Sequence, residues 1–393
     1  MRVGTLRQPL IDALKVVASQ LIVLHHLAFY GPMADHAQPL VPALFDWLGD
    51  HARIAVQVFL VLGGYLAIQR IAPLGRPAPW TDLGRRLVDR YLRLMLPLAL
   101  ALVIAVAAAA LARRWMAHDS VPDAPQALQV LAHLLLAQDL LGLEALSAGV
   151  WYVAIDFQLY AGLAAAMALV AATQRWLRGP RLGFHAVGAD TDRASGAAPW
   201  VLTAMVTASA IHFNRQPDWD VAAPYFMAAH GLGALAAWAG AVPRAAPAWW
   251  AAVASVAVAL AIDPRDRLAL ALVVALGLWA WQAVRRGRSP STLNRDGAGG
   301  WKAGAQALSA RLARSSYAMF LVHFPVLLVV NAWFSAHVPA RPWPQLGGVV
   351  LAWGASIAAG EVFHRLAERP LAAWLSRWRA DPSWPAAGGR SAA

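Results

Sequence analysis

The 393-residue chain contains no cysteine, which excludes disulfides, thiolate nucleophiles, zinc-thiolate centres and iron–sulfur clusters together. Charge is also scarce, at 14% of residues against 59% hydrophobic, well below the roughly one quarter usual in soluble domains. No glycine-rich phosphate loop or dinucleotide fingerprint occurs, so nothing points to an ATP-driven or nicotinamide-dependent machine. No internal repeat stands out, which argues against the inverted-repeat transporters. A cleaved signal peptide is not expected either, because Asp12, Lys15, His25 and His26 interrupt the first apolar run and no small-residue cleavage site follows.

What the chain does have is hydrocarbon. Ten stretches, near 10–30, 52–72, 93–112, 150–172, 199–214, 221–241, 246–262, 267–284, 315–335 and 346–366, each supply enough apolar residues to cross roughly 30 Å of membrane as a helix. The expectation is an all-α polytopic membrane bundle of about ten transmembrane helices with no soluble domain. The formal charge of +12 does not indicate nucleic acid, because the basic residues are sorted by loop instead of gathered on one face. If Arg2 and Arg7 are cytoplasmic, the opposite loops hold only Arg53, Arg113, Arg114, Arg215, Arg265, Arg267 and Arg341, seven of the 33 Lys plus Arg. That asymmetry puts both termini in the cytoplasm.

One apolar stretch, 126–146, carries His133, Asp139 and Glu144. A crossing there would invert every later loop, so it is expected to lie on the outer face at the interface. The connections near 179–198 and 285–314 have linker composition, and residues 371–393 read as a partly disordered cytoplasmic tail.

The most informative pair is Lys15 and His26. Eleven helical steps of about 100° bring the two within roughly 20° of one face, about 16 Å apart along the axis, whereas His25 falls about 80° away. Taken alone, the pair is equally compatible with a snorkelling lysine and a packing histidine. A second cluster, Arg85-Arg86-Leu87-Val88-Asp89-Arg90-Tyr91-Leu92-Arg93, follows the second apolar run. Arg90 and Arg93 share a helical face there, and guanidinium forks suit phosphate oxygens. Cations at the cytoplasmic edge with an imidazole about three turns deeper fit an elongated donor such as acyl-coenzyme A, phosphates at the rim and reactive end inward.

On these residues the chain resembles the integral-membrane acyltransferase-3 family, which O-acylates cell-envelope glycans and related acceptors. The resemblance covers about residues 8–370, the expected membrane acyltransferase domain. Pro9-Leu10-Ile11-Asp12-Ala13-Leu14-Lys15 with His26 is similar to the family's first-helix pattern, and Arg90-x-x-Arg93 to its RxxR motif. The stretches Val58–Leu66, Val150–Tyr160, Ser316–His323 with Pro325, and Glu368-Arg369-Pro370 follow in the family's order. Two positions depart from the pattern. Gly63-Gly64 stands where the family often has Ser-Gly, removing a hydroxyl, and Asp156 where it usually has Glu, shortening the carboxylate arm by a methylene.

The resemblance implies His26 as catalytic base and Lys15, Arg90 and Arg93 as donor-binding groups. Asp156, early in the fourth helix near the outer side, is the second catalytic candidate, positioned to orient an acceptor hydroxyl or His26. Asp12, Trp151, Tyr160 and His323 are candidate cavity-lining residues, and Glu361 is expected to pair with Arg365 at i,i+4. An imidazole with an ordinary pKa near 6.5 is largely neutral at pH 7 and can accept a proton from a hydroxyl that then attacks a thioester.

The expected activity is transfer of an acyl group, acetyl first among the options, from cytoplasmic acyl-CoA to a hydroxyl of an envelope-directed carbohydrate or lipid-linked acceptor. The site is the inner membrane of the cell, and neither a metal nor a bound cofactor is called for. The partners are the two substrates and the lipid bilayer. The rival is a proton-coupled transporter or flippase of an anionic solute, relaying protons through His26, Asp156 and His323. It leaves the ordered motifs unexplained.

Overall fold

Backbone amides cannot stay unpaired in hydrocarbon, so a chain this apolar crosses a membrane only as helices or as a closed barrel. The computed structural model describes residues 8–76, 80–178, 190–286 and 300–380, and among these it contains helices and no strand. In order they are α1 (Pro9–Phe29), α2 (Pro32–Ala37), α3 (Pro42–Asp50), α4 (Val56–Ile71), α5 (Leu83–Ala112), α6 (Ala127–Leu134) and α7 (Val150–Arg178). Then come α8 (Asp190–Ile211), α9 (Ala223–Ala239), α10 (Ala246–Ile262), α11 (Asp266–Arg286), α12 (Gly300–His337), α13 (Pro342–Phe363) and α14 (Arg369–Ala380).

Nine helical segments among the described residues are long and apolar enough to cross a membrane. The tenth expected from the sequence is α9, only 17 residues long and buried from Phe226 to Ala239. It rises about 25 Å. A helix surrounded by protein on all sides reads as apolar all round, and this one does. The fold is therefore the expected all-α polytopic bundle.

The stretch 126–146 does not cross. It forms the eight-residue α6, opened by a capping box between Gln126 and Gln129, and then turns back through Leu136 and Gly142, both at positive φ. Of the two stretches expected as linkers, 179–189 and 287–299 lie outside the described residues, as does the tail beyond 380, whereas 190–198 and 300–314 are helical, within α8 and α12.

The helices form two compact units. The first takes in residues up to Val56, Arg93–Val153 and Arg295–Arg379. Within it, α1, α2, α12 and α13 close over Val23, Leu27, Met33, Met319, Leu327, Phe334 and Val349. Asn331 fastens the turn after α1: its Oδ1 accepts from the Met33 amide at 3.2 Å, and its Nδ2 donates to the Tyr30 carbonyl at 3.3 Å. Glu361 pairs with Arg365 at 2.7 Å, as the spacing predicts, and also with Arg311 at 3.1 Å.

The second unit takes in Gln57–Leu92 and Ala154–Asn294. Here α9 is the central element. It crosses α4 so closely that a Cβ on Gly64 would strike the His230 carbonyl, and one on Gly233 the Val61 carbonyl. Small residues at a crossing let backbones approach where lipid supplies no hydrophobic drive between helices. Trp238 of α9 donates its Nε1–H to the Ala72 carbonyl at 2.9 Å, so even the indole of this enclosed helix is satisfied.

Candidate active site

In the first unit the site is built on α1, which starts with Pro9 and carries Asp12 in its first turn, where a carboxylate complements the helix dipole. His25 and His26 are both buried, and they diverge as the helix period requires. The His25 ring bonds the Leu48 carbonyl through Nδ1 at 3.0 Å. His26 turns to α12, where its Nδ1 lies 2.6 Å from Nε2 of His323. The two rings are nearly parallel, 9° apart, and Tyr30 and Phe320 close around them.

The backbone fixes the direction of this hydrogen-bond chain. Nδ1 of His323 faces the carbonyls of Phe320 at 2.8 Å and Met319 at 3.2 Å. A carbonyl can only accept, so that nitrogen carries a proton. Neutral His323 then offers a lone pair at Nε2, and the proton between the rings belongs to Nδ1 of His26. What remains on His26 is Nε2 with its lone pair. That nitrogen makes no hydrogen bond among the described residues. The arrangement is an imidazole oriented by a partner that is oriented in turn by the backbone.

At the other end of α1, half-buried Lys15 lies in the electrostatic field of Glu368. Glu368 also accepts a 2.8 Å bond from Nδ1 of His364, within the single π-turn His364–Glu368 that follows α13. Arg93 is exposed. Trp151 stands edge-on to Tyr152.

In the second unit, Arg90 donates through its NH2 group to Oδ2 of buried Asp156 and lies 5.4 Å above the Tyr160 ring. Asp156 and Tyr160 are one helical turn apart on α7, so a single guanidinium meets both. With this pairing, the outer-side depth read for Asp156 and the cytoplasmic-edge depth read for Arg90 cannot both hold. A carboxylate near the outer side could not reach an arginine at the cytoplasmic edge, yet the two touch. The reason is length: α5 has 30 residues and α7 has 29, each well over the roughly 20 that span the hydrocarbon, so helix ends are poor markers of the membrane surface.

One residue escaped the sequence reading. His230 is 1% exposed in the middle of the otherwise apolar α9 and lies beside Gly63 and Asp156. The signal was available, since a lone imidazole within an apolar run is a functional candidate by the same rule that selected His26. Among the described residues no group of three or more His, Asp or Glu is placed to hold a metal ion.

Fold and site together define a polytopic membrane protein with an oriented intramembrane histidine. A family model described as an acyltransferase domain, that of the acyltransferase-3 family, matches residues 9–361. The chain belongs to that family and is a membrane acyltransferase. No curated protein and no solved structure gives a match.

Proposed function

We propose that the protein transfers an acyl group, acetyl in the first instance, from cytoplasmic acyl-CoA to a hydroxyl of an envelope-directed carbohydrate or lipid-linked acceptor, with His26 as general base. The observation that supports this reading is the directed chain from Nδ1 of His26 through His323 to the Phe320 carbonyl, which leaves Nε2 of His26 ready to receive a proton. In the reaction Nε2 takes the acceptor's hydroxyl proton as the oxygen attacks the thioester carbonyl. The carbon–sulfur bond then breaks, and the departing thiolate recovers the proton from His26. Positioned base catalysis of this kind contributes about 10² to 10⁴-fold, and alignment of the substrates adds more.

Lys15, Arg90 and Arg93 form the donor side in this reading. Arg90, which also holds Asp156, brings a guanidinium fork to that side, suited to donor phosphate oxygens. With both termini cytoplasmic in the inner membrane and the membrane domain spanning about 8–370, the donor's phosphates stay at the rim. Its acyl end reaches inward.

The test is release of free coenzyme A thiol from acyl-CoA by the purified protein in lipid, together with mass spectrometry of envelope glycans and lipids from cells with and without the gene. The reading predicts thioester loss and one acyl increment that depends on the gene. Solute movement across sealed vesicles with the thioester intact would overturn it in favour of transport.

A further inference from the structure

Gly63 on α4 faces two polar groups at once. A Cβ at this position would stand 3.5 Å from Oδ1 of Asp156 and 3.5 Å from Nδ1 and Cε1 of His230. These are ordinary contact distances, so a Cβ fits there and would touch an acid and an imidazole together. Neither ring nitrogen of His230 makes a hydrogen bond to the protein, although the Leu60 carbonyl faces the ring outside bonding geometry. An enclosed imidazole with no partner is costly. Asp156 gives Oδ2 to Arg90 and presents Oδ1 to Gly63. Gly63 is partly exposed between the buried Leu62 and Gly64.

We propose that the Gly63 notch is a hydroxyl-binding site. One O–H group donates to Oδ1 of Asp156 and accepts from His230 Nδ1–H, using the one donor and one of the two acceptor positions that a hydroxyl has. The group is either a water or an alcohol of a substrate. The second source rests on the acyltransferase reading above, whereas the site itself does not. A serine at 63 supplies the same hydroxyl from the chain, one bond beyond the Cβ. An alanine supplies the same bulk without it.

The experiment compares thermal melting of the full-length protein in lipid as wild type, Gly63→Ser and Gly63→Ala. The expected result is that Gly63→Ser melts at least about 2 °C above Gly63→Ala, and that this advantage disappears in a His230→Leu background. Gly63→Ala melting at or above Gly63→Ser would overturn the proposal, and that comparison stands even where His230→Leu does not fold. An advantage that persists undiminished with His230→Leu would overturn it too. The KM for the hydroxyl acceptor separates the sources: a rise of tenfold or more in Gly63→Ser marks a substrate alcohol, and a value within twofold of wild type marks water. Melting needs no turnover, so failure of the acyltransferase reading and failure of this site are told apart.

Discussion

A histidine whose Nδ1 is held by a backbone carbonyl has one lone pair left to give, and this rule sets the roles of His26 and His323. In the proposed reaction His323 acts through His26 as a positioning residue. His323→Ala should lower kcat by about 10 to 100-fold with little change in the KM for either substrate, and His323→Asn, whose amide oxygen can accept from Nδ1 of His26, should recover part of the loss. Equal kcat values for Ala and Asn would contradict this assignment. Asp156 and Arg90 face a different constraint, because removing one member of a largely buried pair strands the other. Asp156→Ala should therefore cost about 3 kcal/mol of stability or more, read as a fall in melting temperature, while Arg93→Ala, at an exposed position, should fold normally and weaken donor binding. At this scale His26 was legible because helical arithmetic within one segment selects it over His25. His323 could be named but not paired, since the contact spans 297 positions in the chain. His230 carried the signal of a lone imidazole in an apolar run, but its helix holds no charged residue in register to single it out as Lys15 does His26.

Elements obey the backbone before they obey side chains. The α4–α9 crossing depends on Gly64 and Gly233 having no Cβ, so Gly64→Ala should lose the folded state at ordinary temperatures. Gly277→Ala on α11, where an added Cβ meets nothing within 4 Å, should be neutral or stabilising by about 0.5–1 kcal/mol. The same helices explain which expectations held. Segment hydropathy located all nine helical segments long enough to cross, and the shorter α9 as well, because burial in lipid or in protein demands the same apolar surface. It could not give the pairing of Asp156 with Arg90, because the two lie on separate helices, 66 positions apart.

Outside the crossings, α6 and the turns after it are held by His133, whose Nδ1–H bonds the Gln129 carbonyl at 2.7 Å while Nε2 accepts the Leu146 amide at 3.0 Å. Burial lowers the pKa of His133 below its ordinary 6.5, so the neutral ring is the native form. Its stabilisation is complete above about 6.5 and is lost as pH falls through the lowered folded value. A proton on Nε2 displaces the Leu146 amide, and hydrogen exchange at Leu146, corrected for intrinsic rate, should accelerate between pH 7 and pH 5. Protection unchanged across that range would refute the assignment.

At the scale of the whole molecule, loop charge sets orientation, and the absence of cysteine makes orientation directly measurable. Asp35→Cys and Arg70→Cys, both at exposed positions, each create a unique thiol. A membrane-impermeant maleimide should label the first in intact cells and the second only after permeabilisation, and the reverse pattern would invert the topology. The architecture was legible in the sequence because membrane solvation acts on whole segments. The chemistry was legible only where it was local, since the side chains that meet His26 and Asp156 come from distant helices.

The most direct test of the central claim is turnover of acyl-CoA by the purified protein in lipid, wild type against His26→Ala, with donor binding measured alongside. The account predicts that thioester cleavage falls by 10² or more while donor affinity stays within a few-fold. Cleavage that persists at the wild-type rate without the imidazole would contradict it.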